Sequence, residues 1–262
     1  MTSDESPRDR FLTVYGRKPV IEALRDQRLT VDKVLLAQQA RGESVTDILA
    51  AAKAANVPVR RVDADRIKRL AGNGKQDQGV LADVLAPKMR TLAAALNESY
   101  REQPRKLLLL DGITTPANVG MIIRAATAAG IDGIIIPRHG VASLGPLVVK
   151  ASAGIVFRAP LLRCGSAVEA AESLTEAGYV LVGLDSDGAE SLFHAEFGER
   201  MVFVLGGETH GLGAEVRPYV GRWVRIPMAG DVESLNVSTA AAVVSFELLR
   251  REKGAAPQVN VG

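Results

Sequence analysis

Between Gly112 and Ile131 the only charged side chain is Arg124. In a helix otherwise built from apolar and small residues, a guanidinium is costly to bury unless it meets an anion or hydrogen-bond acceptors. Asn118 stands at the start of the same helix, where its side chain can cap it. A second segment, LGGETHGLG, sets Gly206, Gly207, Gly211 and Gly213 around a single acid, Glu208. Glycines there let backbone approach a ligand closely. No Lys-Ser/Thr pair follows and no G-x-G-x-x-G occurs, so ordinary phosphate-loop chemistry is not expected. In a third segment, MAGDVESLNVSTAAAVV, Asn236 and Ser238 can cap a closing helix whose N-terminus suits an anionic or carboxylate-bearing ligand. His210 is read as incidental, and His139 and His194 have no motif around them.

Taken singly, each segment also fits an ordinary cap or turn. Their shared setting argues for a site, because each follows an expected strand: KLLLLDG, MVFVLGG and WVRIPM. Ligands in parallel α/β sheets bind beyond the carboxyl ends of strands. Further strands are expected at GIIIP and YVLVGLD. Helices are expected at TLAAALNESY, ANVGMIIRAATAAG, SAVEAAESLTEAG, GAEVRPYV and NVSTAAAVVSFELLRREKG. Alternation of strands and helices predicts a three-layer α/β domain. Ahead of it, GRKPVIEALRD, SVTDILAAAKAAN and ADRIKRLAG read as helices, and VDKVLLA, VPVRRV and GVLADVL as strands. They predict a compact α/β/α unit with GNGKQDQG as a polar loop.

The composition allows this and narrows the partners. A hydrophobic share of 47% with 24% charged residues suits a folded, water-soluble chain rather than a disordered one. No apolar run approaches the roughly 18 residues of a membrane span, and the polar start MTSDESPRDR lacks a secretory pattern. A cytoplasmic protein is expected. The single cysteine, Cys164, excludes an internal disulfide and a thiolate zinc cluster, and no metal is expected. Residues 1–90 hold 17 Lys and Arg against 12 Asp and Glu, while the remainder is net acidic. Basic residues are densest from Arg60 to Lys75, which makes Arg66, Lys68, Arg69 and Lys75 candidate contacts to an RNA backbone. A solvated mixed-charge face is the alternative, since Asp63 and Asp65 lie in the same stretch.

The three segments resemble the three signature motifs of the SpoU (TrmH-type) branch of the SPOUT RNA methyltransferases. NVGMIIRAATAAG resembles the first, VLGGETHGLG the second, and IPMAGDVESLNVSTAAAVVSFELLR the third over nearly its full length. YGRKPVIEAL and QDQGVLADV resemble the ends of a small substrate-binding domain found in members that modify a guanosine of large-subunit ribosomal RNA. The resemblance covers nearly the whole chain apart from the first ten residues and the tail. It implies an L30e-like RNA substrate-binding domain over residues 11–87, a linker and first helix over 88–104, and a catalytic domain over 105–254. The catalytic domain would be an α/β/α parallel-sheet fold with a deep trefoil knot. It further implies a homodimer and S-adenosyl-L-methionine as methyl donor to an RNA ribose 2′-hydroxyl, with 23S ribosomal RNA the expected substrate.

By residue-for-residue match, Asn118, Arg124, Glu208, Ser234 and Asn236 would form the catalytic set. Gly206, Gly207, Ile226, Met228 and Leu235 would line the cofactor pocket. The family proposal makes the arginine a base. A guanidinium stays protonated below a pH of about 12, so a clamp on phosphate or developing alkoxide is an equally physical role. The same chemistry on tRNA or at an antibiotic-resistance site, and a non-catalytic RNA-binding assembly factor, stand as alternatives.

Overall fold

The computed structural model describes residues 10–71, 77–208, 211–230 and 232–255. His210 and the first five residues of the GNGKQDQG loop, Lys75 among them, lie outside the described residues, as does the tail beyond residue 255.

The first unit is a four-stranded sheet of β1 (Phe11–Tyr15), β2 (Val31–Ala37), β3 (Val59–Val62) and β4 (Val80–Leu85), in the order β1-β4-β2-β3. β3 lies parallel to β2, and β4 lies antiparallel to both β1 and β2. Helices α1 (Arg17–Arg25) and α2 (Glu43–Ala54) pack on each other over one face. Helix α3 (Ala64–Ala71) lies across β1, β2 and β4 on the other face, anchored by fully buried Ile67. Cover on both sides explains why the last four residues of β2 are all buried. The expected helices and strands of this unit all form, and Asn56, at φ 55, ends α2 in the left-handed conformation that asparagine tolerates. β1 was not expected, because FLTVY is short and four of its five residues are apolar or aromatic, so its alternating burial does not show in residue type.

The second unit is an eight-stranded sheet. Its strands are β5 (Arg90–Thr91), β6 (Lys106–Leu110), β7 (Gly133–Pro137), β8 (Leu161–Cys164), β9 (Val180–Leu184), β10 (Glu190–Ser191), β11 (Met201–Leu205) and β12 (Val220–Arg225). Their order is β10-β12-β9-β11-β6-β7-β8-β5, and every neighbouring pair is parallel. β6 shows why KLLLL is apolar throughout: Leu108 and Leu110 face one core, Leu107 and Leu109 the other. Each of these fully buried leucines contributes about 1.5–3 kcal/mol. On the first face α5 (Pro116–Ala128) packs against α6 (Pro146–Ala151) and α8 (Val237–Ala255), and on the second lies α7 (Ala167–Glu176).

Some expected elements differ. GAEVRPYV forms only a 3-10 turn at Arg217–Tyr219, because Pro218 has no amide hydrogen to carry a longer helical ladder. TLAAALNESY yields just α4 (Leu92–Leu96), started by the Thr91 side chain accepting from the Ala94 amide. WVRIPM stops pairing at Arg225, which leaves Ile226 and Met228 in the loop. β8 and α6 were not expected, since four and six residues are too short for their periodicity to register. Arg90 and Thr91 pair with β8 as an edge of the large sheet, so the segment joining the two units contributes structure.

Candidate active site

Because the large sheet is parallel, the loops after β6, β11 and β12 leave its same edge. Asp111, following β6, accepts a hydrogen bond at 2.7 Å from the Gly213 amide, and its own amide donates to the Leu205 carbonyl. Two of the three loops are thereby tied together at their bases. The β11 loop turns back on itself through a bridge between Gly207 and Gly211. A Cβ on Gly206 would lie 2.3 Å from the Gly211 carbonyl carbon, and one on Gly207 would lie 2.6 Å from the Gly112 oxygen. Backbone passes backbone there at a separation only glycine permits.

Glu208 is exposed at the tip of this packing, and its Oε1 accepts from two amides. One is Nδ2 of Asn118, buried at 4% exposure in the first turn of α5. The other is Nδ2 of Asn236, at 2.9 Å. Asn236 also caps α8: its Oδ1 accepts from the amide of Ser238 at 2.8 Å and from that residue's hydroxyl at 2.6 Å. One carboxylate therefore gathers a residue from each of the three sequence segments. Both donors keep their amides oriented, since hydrogen bonds to a charged acceptor are roughly twice as strong as neutral ones.

The other two members of the expected set stand apart from this cluster. Arg124, six positions after Asn118 on α5, is exposed and has no hydrogen-bond or ion-pair partner among the described residues. Ser234 is exposed in the loop before α8, likewise without such a partner among them. Gly206 and Gly207 are half-buried after β11, and Ile226, Met228 and Leu235 are half-buried on the segment from β12 to α8.

Arg66, Lys68 and Arg69 lie exposed on α3, and Lys68 is paired with Asp65 at 3.4 Å. Two contributors were missed from sequence. Asp111 could have been flagged as an acid directly ending a buried strand. Gly120 is the other: a Cβ there would come 2.5 Å from the Ala151 Cβ, so this glycine sets how closely α5 approaches α6.

The model of the SpoU rRNA methylase family matches residues 105–246, and that for RNA 2′-O ribose methyltransferase substrate binding matches residues 13–90. The chain belongs to the SpoU rRNA methylase family. Among curated relatives of this SpoU methylase, the 23S rRNA (guanosine-2′-O-)-methyltransferase RlmB of Bordetella pertussis is 33% identical over 241 residues, covering 91% of this chain and 97% of the relative. The RlmB of Xanthomonas campestris is 32% identical over 243 residues, covering 92% and 97%. Among solved structures, the SpoU methyltransferase AviRb of Streptomyces viridochromogenes in complex with AdoMet superposes with TM-score 0.65. It shares 26% identity and covers 98% of this SpoU methylase and 96% of its own chain. An AdoMet-bound rRNA methyltransferase from Sinorhizobium meliloti gives TM-score 0.59 at 25% identity, covering 94% and 88%. The expected parallel α/β architecture with a separate N-terminal substrate-binding domain holds.

Proposed function

We propose that this SpoU methylase transfers the methyl group of S-adenosyl-L-methionine to the ribose 2′-hydroxyl of a guanosine in 23S ribosomal RNA. The observation that carries this is the Glu208 carboxylate holding Asn118 and Asn236 together at the carboxyl edge of the sheet. Relatives named for that reaction match over nearly their whole length, and solved relatives hold AdoMet.

When bound, the cofactor supplies a sulfonium-activated methyl group, so the protein's share is alignment and charge stabilisation. The backbone of Gly206 and Gly207, with Ile226, Met228 and Leu235, would hold it. Arg124 would pair with a phosphate beside the target ribose and stabilise negative charge developing on the 2′-oxygen as the hydroxyl proton leaves to solvent. Asn118 and Asn236, fixed by Glu208, would set the ribose, and Ser234 would shape the loop entering α8. Arg66, Lys68 and Arg69 would give RNA an outer contact on the N-terminal domain. The domain limits 11–87 and 105–254 belong to the same reading, supported by the two sheets.

A homodimer is part of the proposal. Met121 is 42% exposed on α5 and Phe246 48% exposed on α8, and these packed helices leave apolar surface that a second copy would cover. Arg124, one turn after Met121, would then sit at the boundary between copies. The trefoil knot is supported by the return of the chain after β12 to the loops following β6 and β11, where Asn236 meets Asn118 and Glu208. No helix among the described residues is long and apolar enough to cross a membrane, and a cytoplasmic location is proposed with the ribosomal substrate.

The test is transfer of labelled methyl to unmodified ribosomal RNA and tRNA transcripts, followed by alkaline hydrolysis. Label in alkali-resistant dinucleotides from 23S RNA is expected. Label on tRNA alone, or in alkali-labile products, would overturn the substrate or the chemistry respectively.

A further inference from the structure

The two basic groups on the N-terminal domain lie on opposite faces of its sheet. The α3 group lines neither of the two clefts on the α1 side, whereas the α1 group lines both. Arg17, Lys18 and Arg25 line an open depression of about 950 Å³ together with Ser44 at the start of α2 and Gln78. Lys18 also lines a second cleft of about 500 Å³ at the junction of the two domains, where Pro19 and Ala23 of α1 face Leu147 and Lys150 of α6. Helix α6 in turn packs directly against α5 at Gly120, two residues from Asn118. The junction cleft is thereby linked through α6 to the helix that carries Asn118.

The charges along it are unspent. Among the described residues, Arg17, Lys18, Arg25 and Lys150 form no ion pair. Arg17 meets only a neutral neighbour: its Nε donates to the Gln78 carbonyl at 3.5 Å and its backbone amide to Gln78 Oε1 at 3.0 Å, so its charge stays uncompensated. The acids on this surface are Glu22 and Asp26, and Asp26 is occupied by Arg28 at 2.7 Å. A row of uncommitted cations is what a phosphodiester backbone requires, since each neutralised phosphate releases condensed counterions.

We propose that RNA reaches the site along α1, its backbone held by Arg17, Lys18 and Arg25 and then by Lys150 across the domain junction. This rests on the reading of the chain as an RNA methyltransferase and adds the path its substrate takes. It ranks the α1 face above the α3 face for productive binding.

The full chain carrying Lys18→Glu, Arg25→Glu and Lys150→Glu is compared with one carrying Arg66→Glu, Lys68→Glu and Arg69→Glu. A milder set, Lys18→Gln, Arg25→Gln and Lys150→Gln, guards against a disturbed junction, and stabilisation by S-adenosylhomocysteine reports an intact cofactor site. Binding of a labelled 23S ribosomal RNA transcript is followed across a salt series. The α1/α6 reversal is expected to weaken binding by more than about tenfold and to flatten the log–log salt slope by about 2–3. It should raise KM for RNA more than the α3 reversal does, and the glutamine set should move in the same direction. An α3 reversal that costs as much as or more than the α1/α6 set would overturn the path alone. A wild-type chain that binds no RNA would overturn the methyltransferase reading and the path with it.

Discussion

Asn118 and Asn236 stand 118 positions apart and donate to the same oxygen, Oε1 of Glu208. The loop after β11 and the starts of α5 and α8 are pinned to one another through this atom. Glu208→Ala removes the shared acceptor and leaves the buried amide of Asn118 unsatisfied. Methyl transfer is expected to fall about 100-fold as the two amides lose their orientation. Glu208→Gln retains a carbonyl acceptor without the charge and should fall between alanine and wild type. Single-turnover transfer measures both, and an alanine variant at near-wild-type rate would dismiss the positioning role.

Arg124 is exposed and unpaired among the described residues, so changing it should leave the fold alone. Arg124→Lys keeps the charge and loses the planar fork that grips phosphate in two places. A drop in kcat of about 100-fold, with Tm unchanged, is the expected result. Near-full turnover by the lysine variant would exclude both the bidentate clamp and the base.

Gly206 faces backbone on every near side: a Cβ would meet the Gly211 carbon at 2.3 Å and its oxygen at 2.5 Å. No rotamer can relieve that overlap, so Gly206→Ala must move the loop. Overpacking of this kind costs about 1–3 kcal/mol, and the thermal shift given by S-adenosylhomocysteine should largely disappear. A variant that kept the full shift would mean the loop is not the cofactor cradle.

Glu247 on α8 is only 6% exposed and binds Arg250 and Arg251; Arg251 also reaches the carbonyls of Leu192 and Ala195. The hydrogen bonds from Arg250, then those from Arg251, hold its carboxyl below the ordinary glutamate range despite burial. The folded value lies below the unfolded one, so the stabilisation is present above the ordinary range. It is lost as pH falls through that range toward the folded value. Since Arg250 is largely solvated, Glu247→Gln should cost about 1–2 kcal/mol near neutrality, lowering Tm by about 2–4 °C per kcal/mol. The gap from wild type should narrow progressively as pH falls below the ordinary glutamate value of about 4.3. A Tm gap that persists at low pH would assign the effect to packing instead of charge.

Much of the architecture was legible because its signals are local. KLLLL, GIIIP and MVFVL are apolar on both faces, as strands between two helical layers must be, and SAVEAAESL carries its own capping box in Ser166 and Glu169. Short elements such as β8 and α6 went unseen, since they owe their form to neighbours they pair with or pack on. The same split runs through the site. The sequence alone singled out Arg124, Glu208 and Asn236 as a lone charge, a lone acid among glycines and a helix cap, and Asn118 as a cap, although Thr115 takes that position and the Asn118 side chain turns to Glu208 instead. Their relation to one another was beyond it. Only the tertiary structure decided that one Glu208 oxygen joins both asparagines, that Arg124 is exposed, and that Lys18 of α1 shares a cleft with Lys150 of α6. Those outcomes depend on contacts between residues far apart in the chain, and side-chain type and spacing hold no record of which distant backbone will fold against them.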